Sequence, residues 1–201
     1  MREWRWLVVI VTGLSLVVVK RAIDWQEPLF PNVVLYIGAV LALAYILGFD
    51  RREIGLALPE DRRGWAIVGA LLVGAVVLAL AGTLFPSMME YYPVGHWGPV
   101  EPTVASMLLY EGAIAVIMLA VELLYRGWLV LGASERLGRW AVVVSAVPYA
   151  LAHLGKPAEE VLFSLFAGVV FGLADLETRS ILPSFSAHFL GSAVFDMLAI
   201  G

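Results

Sequence analysis

The chain has 201 residues, of which 61% are hydrophobic and only 15% charged, and its mean hydropathy is +0.89. Soluble domains do not have that balance, so the sequence reads as an integral, multi-pass membrane protein whose surroundings and first partner are the lipid bilayer. A formal net charge of -4 with no run of one sign excludes a nucleic-acid partner, and the absence of cysteine excludes disulfides, thiolate metal sites and a cysteine nucleophile.

The N-terminal Met1-Arg2-Glu3-Trp4-Arg5-Trp6, followed by apolar residues 7–19, has the outline of a signal peptide. Lys20-Arg21 stands where a small-residue cleavage site would be, so the segment reads as a first span or signal anchor. Further apolar segments follow at 29–49, 65–85, 103–131, 140–154, 161–176 and 181–200. The connectors between them carry proline, glycine and charge, as in Pro59-Glu60-Asp61-Arg62-Arg63-Gly64 and Gly155-Lys156-Pro157. The pattern predicts an all-α polytopic membrane bundle of about seven to eight helices, some re-entrant, forming a single integral-membrane domain over 1–201.

Orientation is read from the basic residues, because loops rich in Lys and Arg stay cytoplasmic. With the N-terminus inside, Arg2, Arg5, Arg51, Arg52, Arg62, Arg63, Arg136, Arg139 and Arg179 are inside, against Lys20, Arg21 and Lys156 outside. A cytoplasmic N-terminus is therefore expected. The connector 86–102, which lacks Lys and Arg, then lies on the outer face, with Tyr91, Tyr92 and Trp97 at headgroup level.

Polar residues at membrane depth concentrate in the C-terminal half. Glu122 and Arg126 interrupt the apolar segment 103–131 at a spacing that lets them pair on one helix face. A lone charge there costs between ~2.5 and more than ~10 kcal/mol, so such residues face a partner or a water-filled cavity. Glu111, eleven residues earlier, projects from the same face. Tyr149 and His153 are four apart, and His188, Ser192 and Asp196 are spaced by four along the last segment. Each has a bland explanation: a register-fixing ion pair, a helix end meeting water, and a serine bonded back to the His188 carbonyl. Together, a carboxylate, a guanidinium and two histidines converging from three helices point to hydrolysis by general acid and base. Zinc is the competing idea, since two histidines and a carboxylate could hold it with one position open. With no His-x-x-x-His arrangement, no metal ligand is assigned.

Three segments carry a family resemblance. Val121-Glu122-Leu123-Leu124-Tyr125-Arg126-Gly127, Tyr149-Ala150-Leu151-Ala152-His153 and His188-Phe189-Leu190-Gly191-Ser192 occur in order. Phe166-Ala167-Gly168-Val169-Val170-Phe171-Gly172-Leu173 lies between them, and Arg179-Ser180-Ile181-Leu182-Pro183 and Ile54-Gly55-Leu56 add to the pattern. Over roughly 51–201 the chain resembles the CAAX-protease and bacteriocin-processing (Abi) family of intramembrane endopeptidases. Its pattern is Glu-Glu-x-x-x-Arg-Gly, aromatic-x-x-x-His and His-x-x-x-Asn. The resemblance implies Glu122, Arg126, His153, His188 and Ser192 as catalytic residues, and a peptide or membrane-protein substrate, prenylated or not.

Two positions depart from the family. Val121 replaces the first glutamate, the one expected to activate water, and Ser192 replaces the asparagine, although a hydroxyl can still donate to an oxyanion. Three alternatives stay open: Glu122 works alone, Glu111 substitutes, or the chain is a degenerate member that binds or scaffolds a partner. Depth adds a constraint. At 1.5 Å per residue His188 falls about 10 Å from the inner end of its segment, whereas His153 falls at the outer end of 140–154. A shared site therefore requires 140–154 and 161–176 to form a tilted or re-entrant pair whose turn lies inside a protein-lined cavity.

Overall fold

Long apolar runs bounded by caps give helices, and the computed structural model forms nine of them among the residues it describes, which are 3–23, 28–92, 99, 101 and 103–200. They are α1 (Arg5–Ala22), α2 (Leu29–Leu47), α3 (Arg62–Gly82), α4 (Pro86–Tyr91) and α5 (Val104–Leu131). After them come α6 (Ser134–Leu137), α7 (Trp140–Leu151), α8 (Ala158–Thr178) and α9 (Leu182–Ile200). Each of the seven apolar segments contains a helix, and α4 and α6 are short additions within connectors. The readings for Arg2 and Trp97 lie outside the described residues. By length and composition α2, α3, α5 and α8 can each cross a membrane, and the fold is a helical membrane bundle.

Local chemistry sets the ends. The Asp61 carboxylate accepts from the Gly64 amide at 2.7 Å to open α3, and Thr103 with Ser106 forms a capping box at α5. Gly48 closes α2 in the left-handed conformation.

Two stretches depart from the 3.6-residue ruler. Asn32–Ala39 of α2 and Leu123–Leu131 of α5 are π-helical, a wider turn that recurs at functional sites. All nine residues of the second stretch are buried, and the hydrophobic core gathers around them. Trp128 donates to Thr12 of α1 at 3.1 Å, and the Ser145 hydroxyl of α7 donates to the Tyr125 carbonyl at 2.6 Å. Tyr36 of α2 meets the Tyr125 ring edge-on.

The helices α7 and α8 pack closely because glycine lets them. A Cβ on Gly172 would lie 2.8 Å from Val142, and one on Gly168 would lie 3.1 Å from Ala146. The expected pair of short segments is not what forms: α8 has 21 residues, enough to span, and only α7 is short, with 12. Twelve residues rise about 18 Å, so α7 ends partway through the bundle.

Candidate active site

At the start of the π-helical stretch, Glu122 and Arg126 turn inward with no exposure at all. The Arg126 Nε lies 3.3 Å from Glu122 Oε2, but the angles make no hydrogen bond, so the attraction is coulombic. The guanidinium lies over the Tyr149 ring, 4.2 Å from its centroid. The other carboxylate oxygen, Oε1, is 2.6 Å from Nδ1 of His188. An ionised carboxylate only accepts, so His188 Nδ1 carries the proton and its Nε2 is left without one. Below this pair, the Ser184 hydroxyl and amide both donate to the buried Asp175 carboxylate, pinning the start of α9 to α8 so that His188, one turn on, meets Glu122.

His153 lies just past the end of α7. Its Nδ1 is 2.8 Å from the Tyr149 carbonyl, another pure acceptor, so Nδ1 donates and Nε2 is left free as an acceptor. The Tyr149 ring centroid is 4.7 Å from that of His153 and 6.2 Å from that of His188. Laid end to end, those two lengths put the imidazoles no more than about 11 Å apart. The depth estimate that placed His153 beyond reach is therefore corrected. Because α7 is short, its C-terminal end stops beside Arg126, whose guanidinium lies over the Tyr149 ring, and His153 follows directly.

A second polar group surrounds His153. Nε2 stands 4.0 Å from Oε1 of Glu160 in the first turn of α8. Lys156 Nζ donates to the same oxygen at 2.6 Å, and the Tyr92 phenol donates to the carboxylate at 2.7 Å. Burial and the Glu160 charge push the Tyr92 phenol well above its usual range, which keeps it a donor. The side chains of His188, His153 and Glu160 keep 18, 14 and 12% exposure, while Glu122 and Arg126 keep none. Water can reach the first three and not the last two.

Ser192 is half-buried one turn beyond His188 and forms no hydrogen bond among the described residues, so the back-bond to the His188 carbonyl is not made. Glu111 lies eleven residues along α5 from Glu122, about 16 Å at helical rise, with Asp196 as its charged neighbour. Among the described residues no three His, Asp or Glu side chains group to hold a metal ion. Sequence reasoning missed Glu160, Lys156 and Tyr92. The available signals were the i,i+4 pair Lys156–Glu160 and the seven-residue step from His153.

Residues 102–194 match the family model described as type II CAAX prenyl endopeptidase, Rce1-like. No curated protein and no solved structure matches the chain. The matched segment contains Glu122, Arg126, His153, His188 and Ser192, the same residues that carried the resemblance. This Rce1-like segment covers a little under half of the chain and is consistent with the CAAX-protease and bacteriocin-processing family.

Proposed function

We propose that this protein is an intramembrane endopeptidase that hydrolyses a peptide bond with a water activated inside the bundle. The observation that carries the reading is the pair of imidazoles that both meet the Tyr149 ring edge-on, each with Nδ1 engaged and Nε2 free. In it Glu122 orients His188, and Arg126 balances the charge of Glu122. The water gives up a proton to a base beside His153, its oxygen bonds to the scissile carbonyl carbon, and the carbon–nitrogen bond breaks as the amine takes up a proton. Ser192 supplies a hydroxyl for the developing oxyanion. The substrate is a peptide held at the membrane, by a prenyl group or by its own apolar segment. The N-terminus is cytoplasmic: Arg5, Arg52, Arg63 and Arg179 gather at one end of the bundle through Glu53, Glu60, Glu177 and Ser134.

One observation favours a second reading. Val121 removes the family's first glutamate, as expected of a degenerate member that binds or scaffolds a partner. Purified protein in liposomes, offered quenched peptides with and without a farnesylated C-terminal cysteine, and with and without chelator, separates the two. Cleavage that disappears in His153→Ala and His188→Ala is expected. Binding of either peptide without cleavage would establish the scaffold.

A further inference from the structure

We infer that Glu160 is the carboxylate that activates the water, in place of the glutamate that Val121 displaces, an inference that rests on the peptidase reading above. His153 Nε2 and Glu160 Oε1 face one another at 4.0 Å. With Nδ1 donating to the Tyr149 carbonyl, both facing atoms are acceptors and cannot bond each other. A single water donating one O–H to each fits such a gap, because two hydrogen bonds of about 2.8 Å from one oxygen place their acceptors about 4 to 4.5 Å apart. Lys156 and Tyr92 occupy two of the roughly four lone-pair positions of the carboxylate, holding it in place and leaving others for the water.

The other carboxylates fit this role less well. Glu122 is wholly buried between Arg126 and His188, and Glu111 is about 16 Å along its helix from Glu122. The plain structural reading of Glu160 is an acid in the first turn of α8, where it favours the helix dipole. Glu159 already fills that role from the same turn, bonded to Ser87 and free of any histidine. In the reaction, Glu160 takes one proton of the water as its oxygen bonds to the scissile carbonyl carbon. That proton then passes to the departing nitrogen as the carbon–nitrogen bond breaks, leaving a carboxylic acid, an amine and the Glu160 carboxylate restored.

The test measures kcat and KM for the full-length protein in liposomes, on the farnesylated and unmodified quenched peptides, together with the melting temperature of each variant. Glu160→Gln is expected to lower kcat at least a hundredfold with KM within twofold of wild type. Glu160→Asp keeps the charge and the Lys156 partner but retracts the oxygens by one methylene, and is expected to lose at least tenfold in kcat. Should Glu160→Gln fail to fold, Glu160→Asp decides. A rate within threefold of wild type in Glu160→Gln, or in Glu160→Asp, overturns the assignment and leaves Glu160 a counter-ion. A wild type that cleaves neither peptide overturns the peptidase reading itself, and the role of Glu160 with it.

Discussion

The deep cluster of Arg126, Glu122 and His188 and the shallower one of His153, Glu160, Lys156 and Tyr92 hold charge in opposite ways. In the deep cluster a full ion pair is sealed from solvent, and the guanidinium nitrogens find no aligned acceptor among the described residues. In the shallow cluster every charge is hydrogen-bonded and partly exposed. A sealed pair pays heavy desolvation and gains little net stability, so its value lies in fixing geometry. The most conspicuous charges in the sequence are thus the frame of the site, and the less conspicuous ones are those that water can reach.

The contrast makes graded predictions. Arg126→Ala leaves Glu122 buried without a counter-charge and is expected to cost about 3–5 kcal/mol, read by thermal unfolding in detergent. Lys156→Ala, whose pair is partly exposed, should cost about 1 kcal/mol or less in the same measurement. Equal losses would break the distinction between the clusters. Next, His153→Gln should lower kcat about a hundredfold while leaving the melting temperature nearly unchanged, because the ring stands at the rim of the core. A large drop in melting temperature would make His153 a structural residue. Gly172→Leu forces α7 from α8 and should destabilise by about 1–3 kcal/mol, with a loss of turnover as His153 and His188 are drawn apart. The smallest effect is expected from Val121→Glu in the wild-type background: with Glu160 already serving, kcat should change by less than about tenfold. A gain of a hundredfold or more would show that the family position is the better one, and that Glu160 serves poorly or not at all.

Much of this was legible in the sequence. Apolar runs with Gly, Pro and charge between them located all seven long segments, the spacing of four paired Glu122 with Arg126, and the family resemblance added His188 to them. Three features were not legible, each for a physical reason. Apolarity continues through Leu154 although α7 ends at Leu151, so hydropathy could not see that the helix is short. Periodicity at 3.6 residues misjudges faces after Glu122, where the π-helix begins and every side chain through Leu131 is buried. Glu160 falls just before the apolar segment 161–176 and draws no notice there, because a carboxylate in a helix's first turn is ordinary by itself and only the path of the chain brings His153 to it.

The shortness of α7 also bears on how the protein is made. Twelve residues cannot cross hydrocarbon unaided, so the translocon has no stable span to release when Leu151 leaves the ribosome. The surface that completes it, with Gly168 and Gly172 against Ala146 and Val142, is synthesised some twenty residues later. The two helices are therefore expected to enter the bilayer as one hairpin. Until it closes, His153 has not been carried to its place beside Tyr149 and His188, so the nascent chain leaves the ribosome with its two imidazoles still apart.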